Sequence, residues 1–272
     1  ADMFTKRTIQ PHRVVTSVDT ASEALTLSIA EKAEVNMEYM SILTGKTAEE
    51  LASELRGVIF HDPTLGNAED GMGWVTADEY LSGNVRQKLR QAEAAAAENP
   101  AYQVNVEALL AAQPKDLDAS EIEVRLGATW IDKSYIKQFM FETFDTPSYL
   151  RYSMDVQYSP YTAAWSISNK TRISYNDVAA WNTYGTDCVS AYEILEDSLN
   201  LRDVQVFDTI EDADGKKKRV LNAKETTLAA QKQQLIRDAF RDWIWADPQR
   251  RQALVRQYNE EMNSTRPREY DG

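Results

Sequence analysis

Apolar residues recur at helical spacing along most of this chain, and the period falls to two only in short stretches. Near the start, Ser22 is placed to cap a first helix, with Leu25, Leu27, Ile29 and Ala33 along its partly buried face. A second helix carries Val35, Met37, Met40, Ile42 and Leu43 and stops at Gly45, a residue suited to the left-handed turn that ends a helix. Thr47 and Glu50 have capping-box spacing and open a third, TAEELASELRGVIF. GVIFHDP and GMGWVTADEYL then flank the glycine-rich loop TLGNAEDG and predict two strands around it. Three short helices followed by such a wing predict a winged-helix-like unit over about 20–82.

Residues 83–113 predict two helices, NVRQKLRQAEAAAAENP breaking at Asn99-Pro100 and VNVEALLAAQP ending before Pro114. Beyond Leu117, EIEVRLGATWI alternates as a strand or the approach to a helix, and IDKSYIKQFMFETF has helical spacing through Tyr135, Ile136, Phe139 and Met140. RYSMDVQY and TAAWSIS predict a hairpin around SPY, with Trp165 toward the core. The helix DCVSAYEILEDSLN follows, with Cys188 as a buried helical residue. DVQVFDTIED and KKRVLN predict a second hairpin around Ala213-Asp214-Gly215. Leu228, Leu235, Ile236, Ala239, Phe240, Trp243 and Ile244 then form one helical stripe, and Asp247-Pro248 breaks it before Leu254, Tyr258 and Met262. The fold class is α+β, mainly helical, with a winged-helix-like N-terminal unit and small antiparallel β-hairpins. The expected division is a linker over 1–20, a winged-helix-like and helical unit over 21–115, an aromatic-rich mixed unit over 116–222, amphipathic helices over 223–263 and a linker over 264–272.

Composition narrows the function. With 43% hydrophobic and 27% charged residues, the chain is globular in character. No apolar run reaches the roughly 18 residues of a membrane span, so a cytoplasmic protein with no membrane partner is expected. A single cysteine excludes an intrachain disulfide and a cysteine-rich zinc site, and His12 and His61 leave little material for a histidine metal centre. The net charge of −13 is uneven: residues 216–256 hold eleven Lys or Arg against four Asp or Glu. That segment is either a solvated face or a place where phosphates are neutralised. The third helix instead carries Glu49, Glu50 and Glu54 against Arg56, which suits packing or protein contact better than groove reading.

Catalytic motifs fail on spacing. Gly45-Lys46-Thr47 looks like the end of a phosphate loop, but Met40 stands where that motif needs glycine. Asn99-Pro100-Ala101-Tyr102 resembles the loop of amino-methyltransferases without its second proline, and a helix-ending Asn-Pro accounts for it. Glu193, Glu196 and Asp197 read as the wet side of a helix, and Asp208, Glu211, Asp212 and Asp214 as a solvated hairpin tip without calcium-loop spacing. Tyr149, Tyr152, Tyr158, Tyr161, Trp165, Tyr175, Trp181 and Tyr184, interleaved with Arg151, Lys170 and Arg172, read as core packing, a nucleic-acid stacking surface or a protein surface.

Four long phrases carry a resemblance: YMSILTGKTAEELASELRGVIF, TADEYLSGNVRQKLRQAEAAA, NVEALLAAQPKDLDASEIEVRLGATWI and FRDWIWADPQRRQALVRQYNEEMNSTRPREYDG. They resemble large DNA methylase–helicase proteins of bacterial mobile elements, in which an N6-adenine methyltransferase is fused to an SNF2-type helicase. In that family such phrases lie after the methyltransferase motifs and just before the helicase's ATP-binding loop. Both ends of the chain read as linkers, as they would in a piece of such a protein. Neither a methyltransferase signature nor a Walker loop is present, so no catalytic residue, metal or cofactor is carried over. The resemblance implies a non-catalytic region that engages or positions DNA, with DNA and the adjacent methyltransferase and helicase domains as partners. Phosphate contacts are expected at Lys216, Lys217, Lys218, Arg219, Arg237, Arg241, Arg250 and Arg251, and stacking at Tyr158, Tyr161 and Trp165. The alternatives are a scaffold docking the two enzymatic domains, or an independent enzyme with a pocket in the aromatic region.

Overall fold

The structure, a computed structural model, describes residues 16–66, 71–211 and 216–268. These form two compact units: the described residues up to Asp116 together with those from Glu260, and Leu117–Asn259. The N-terminal residues expected as a linker lie outside the described residues as far as position 15.

The first unit opens with α1, Ala21–Lys32. Its cap is Thr20 rather than Ser22: the Thr20 hydroxyl accepts from Glu23 N (3.2 Å) and the Glu23 carboxylate accepts from Thr20 N (3.3 Å). Both residues satisfy an otherwise orphaned helix-end donor, an advantage Ser22 lacks. Asn36 caps α2, Met37–Thr44, which ends at Gly45 with φ 72. Thr47 and Glu50 make the expected capping box on α3, Ala48–Glu54. Strands β1, Ile59–His61, and β2, Trp74–Thr76, pair antiparallel with Phe60 opposite Val75. The loop between them includes residues 67–70, which lie outside the described residues.

All of β1 is buried, and its alternation serves two cores. Ile59 joins Ala24 of α1, Met37, Met40 and Leu43 of α2, Leu51 of α3, and Leu55 just beyond it. Phe60 faces the other way and packs with Tyr80, Val85, Ala92, Val106 and Leu109. That second core is built with α4, Ala77–Tyr80, and the helical pair α5, Val85–Glu98, and α6, Gln103–Ala111, while the short strand β3, Gly83–Asn84, lies exposed between α4 and α5. Thr265–Arg266 pairs with β3 and Ser264 is buried, so this part of the expected C-terminal linker is ordered into the first unit. Arg86 fastens it, donating to Asn263 O (3.0 Å) and Pro114 O (3.4 Å).

In the second unit, EIEVRLGATWI is neither strand nor helix. The alternation is real, because Ile122, Val124 and Leu126 are buried, but no strand pairs with the segment. Asp132 caps α7, Lys133–Thr143, followed by α8, Ser148–Arg151. The hairpin β4, Val156–Ser159, and β5, Ala164–Ile167, sits where the alternation predicted it. Helix α9, Ala191–Leu199, starts at a Ser190–Glu193 capping box. Cys188 therefore precedes the helix and is exposed, correcting its expected burial. Strands β6, Phe207–Glu211, and β7, Lys217–Leu221, form the second hairpin, then α10, Ala223–Ala246, and α11, Pro248–Glu261. The core is aromatic at its centre, where the Phe139 ring meets Phe240 edge-on at 5.1 Å among Ile136, Tyr192, Leu195 and Ile236.

Candidate nucleic-acid interface

The break between α10 and α11 decides the fate of one expected contact. Pro248 has no N–H to offer the carbonyls that end α10. Arg250 supplies donors instead, bonding Ile244 O (3.0 Å) and Trp243 O, while its guanidinium lies 3.6 Å from the centre of the Trp243 ring. It is 8% exposed. Arg250 is held as a structural cap, almost wholly buried, with little surface left to offer a phosphate. Arg251, next to it, is exposed. Arg237 lies 3.7 Å from Asp203 and Arg241 3.4 Å from Asp238; both pairs are solvent-exposed and weak.

The stacking residues separate in the same way. Trp165 is 5% exposed and its backbone N donates to Asn200 Oδ1 (2.9 Å). Tyr158 is half-buried against it, with ring centroids 4.9 Å apart. Trp165 is core and Tyr158 packs against it, while Tyr161, 99% exposed, is the most open of the three.

Lys217, Lys218 and Arg219 stand on β7, and every residue of the β6–β7 ribbon is exposed on both faces. Lys217 is registered opposite Glu211, Lys218 opposite Ile210 and Arg219 opposite Thr209. The Arg219 guanidinium lies 4.6 Å from the centre of the Phe207 ring. The Asp208 carboxylate accepts from Asn222 Nδ2 (2.9 Å). A basic strand thus runs beside one carrying two acids. Lys216 precedes β7, and the expected Asp-Gly turn, with Asp212 and Asp214, lies outside the described residues.

The winged-helix unit has the opposite electrostatics. Glu49, Glu50 and Glu54 are exposed on and around α3, and Lys46 is tied to Glu54 at 2.6 Å. Hydrogen bonds from Thr47 hold the Glu50 carboxyl below its usual pKa, so it stays charged. Residues 17–75 contain eleven Asp or Glu and three Lys or Arg. A helix of that sign repels phosphate. Gly45, Lys46 and Thr47 serve as helix stop, ion-pair partner and cap, which disposes of the phosphate-loop reading.

Sequence reasoning missed the polar network at the foot of the wing. Tyr102 Oη lies 2.8 Å from His61 Nδ1. Asn105 Nδ2 donates to His61 O (2.8 Å) and Tyr80 Oη (2.9 Å). Burial lowers the His61 pKa against smaller upward pulls from the Met72 backbone and Asp62, and burial pushes the Tyr80 hydroxyl up to about 12. Tyr102 belongs to the methyltransferase-like tetrapeptide, where Asn99 Oδ1 accepts from Ala101 N (3.0 Å) and starts a short 3-10 turn. A cavity of about 490 Å³ opens here, lined by Arg56, His61, Trp74 and Tyr102 among others. Among the described residues no group of His, Cys, Asp and Glu is arranged to hold a metal. No helix among them is long and apolar enough to cross a membrane.

Comparison with known families bears on both units. Residues 17–75 match a family described as a probable helicase, winged helix domain, which links the chain to helicase-associated proteins and agrees with the capped helices and wing of the first unit. Comparison with curated proteins gives no match, and neither does comparison with solved structures. Residues 125–264, from the approach to α7 through α11, match a second family over more than half of the chain. By that match the chain belongs to the family described as Domain of unknown function (DUF8437).

Proposed function

We propose that the chain is a non-catalytic region that positions DNA beside a helicase motor. Its setting would be a methylase–helicase protein of a mobile element, between an N6-adenine methyltransferase and an SNF2-type helicase. The match of residues 17–75 to a probable helicase winged helix domain carries this reading, together with the three capped helices and two-stranded wing that those residues form.

Charge assigns the surfaces within it. Residues 117–259 hold eighteen Lys or Arg against twenty-one Asp or Glu, while the rest of the chain holds twelve against twenty-two. The second unit is therefore the side on which phosphate is tolerated, through Lys216 to Arg219, Arg237, Arg241 and Arg251. The acidic α3 favours a further role for the first unit, docking against a basic protein surface such as that of a neighbouring domain.

Fluorescence anisotropy with a labelled duplex, titrated with salt, tests the reading. The chain is expected to bind with affinity that falls as salt rises. Replacing Lys217, Lys218 and Arg219 with Ala is expected to flatten the log–log slope by about 0.9 for each phosphate that is no longer neutralised. An unchanged slope removes the hairpin from the interface. No binding even at low salt leaves the docking role alone.

A further inference from the structure

We infer that one corner of the second unit is a contact site for single-stranded DNA, with Tyr152 and Tyr175 as stacking platforms and Arg151 and Arg172 as phosphate contacts. The inference rests on the proposed DNA-engaging role and names the form of nucleic acid this corner takes.

Two stretches of chain are brought together at the base of the β4–β5 hairpin. Asn169 Nδ2 donates to Ser153 O (2.7 Å), and Ser168 N donates to Asp155 O (2.9 Å). Tyr152 directly precedes the first stretch. Arg172 ends the turn that follows the second, its N bonded to Asn169 O (3.0 Å). Tyr152, Arg151 and Arg172 thus arise from neighbouring backbone, and Tyr175 follows Arg172 by three residues.

Their exposure is what a packing role does not explain. Tyr152 is 96% exposed and Tyr175 83% exposed, with Tyr149 and Tyr161 also in solvent, whereas Phe139, Phe144, Tyr192 and Phe240 of the same unit are buried in a common core. A single exposed aromatic is ordinary. Here Tyr175 is also held as a platform: its ring stacks on Trp181 with centroids 5.0 Å apart and planes 28° apart, and Trp181 Nε1 donates to Ser174 O (3.1 Å). One face is backed by indole and the residue remains open to solvent.

The cations are positioned too. Arg151 Nε donates to Thr146 O (2.6 Å), which fixes the guanidinium over the Phe141 ring at 5.9 Å; Asp145 lies 3.9 Å away, itself in solvent, and Glu142 is near enough to feel the charge. Arg172 is exposed and has no acidic partner within 4 Å among the described residues. The nearby Asp177 is engaged, its Oδ1 accepting from Ala180 N (2.8 Å). Rings with open faces beside cations suit bases that are already unstacked, because duplex bases present only their edges.

The test is anisotropy on the full chain with labelled oligo-dT and with a duplex of equal length. Oligo-dT is expected to bind more tightly. The double substitution Tyr152→Ala and Tyr175→Ala is expected to weaken it by roughly tenfold for each ring removed, with Tyr→Phe at both positions retaining binding. Leu110→Ala, an exposed apolar side chain on α6 of the first unit, is expected to change it little. If the chain binds DNA but prefers the duplex, or if the tyrosine pair is silent, this assignment is overturned and the DNA-engaging role stands. If no DNA binds at low salt, both fall.

Discussion

Arg250 shows at the scale of one residue why a basic run is a poor guide to an interface. Its neighbours in sequence made it look like a phosphate contact, yet a proline two positions earlier left helix-end carbonyls that needed donors, and the guanidinium turned inward to meet them. Arg250→Ala removes both hydrogen bonds and the stacking on Trp243, and is expected to cost about 2–3 kcal/mol of stability. Thermal unfolding checks it: a lowered midpoint with an unchanged salt slope for DNA marks a structural arginine, and the reverse marks a contact. His61 gives a second expectation. Its folded pKa lies below the unfolded value of about 6.5, so the unfolded chain binds more protons in the window between them. Its contribution is complete above that unfolded value and is lost as pH falls through the window. Urea midpoints at pH 7.5 and 5.5 should differ more for the natural chain than for His61→Gln. An equal difference would show that the imidazole is not the titrating group.

At the scale of elements, what was legible was local. Thr47 and Glu50 start α3, Gly45 ends α2, Asn99-Pro100 ends α5, and the β4–β5 hairpin falls on its alternation, because each signal is satisfied by residues within a few positions. What was not legible depends on partners distant in sequence. Alternation at Ile122, Val124 and Leu126 gave burial without a strand, since no neighbour was there to pair. Thr265–Arg266 gained a strand partner from β3 that no local pattern announces. The site residues divided on the same line: Trp165 was buried by contacts with Asn200 and the core, while Tyr152, with the same local texture, was left in water. Gly127 belongs to the hidden class, with φ 86 and a position where an added Cβ would meet the Leu199 carbonyl. Gly127→Ala is therefore strained both in backbone and in space, and a loss of about 2 kcal/mol or more is expected in denaturant unfolding. A neutral result would mean that the α9 end yields readily.

For the whole molecule the question is which unit meets DNA, and the sign of charge answers it differently from the fold. The winged-helix match taken alone would send α3 into a major groove. Its acids oppose that, and screening limits them to about 8 Å at physiological salt, so they matter only if DNA lies against them. Glu49→Lys with Glu54→Lys separates the two arrangements while leaving the Glu50 cap intact. If α3 faces a protein, duplex affinity at physiological salt should change less than about threefold, because no phosphate comes within screening range. If α3 faces DNA, two repulsions become two attractions, and the salt slope should steepen by about 1.8 with a rise in affinity of an order of magnitude or more. The loss of the Lys46–Glu54 ion pair is common to both cases and exposed, so its cost in stability is small and does not blur the comparison. A steepened slope would move the DNA path onto the first unit and make the basic hairpin of the second a solvated ribbon.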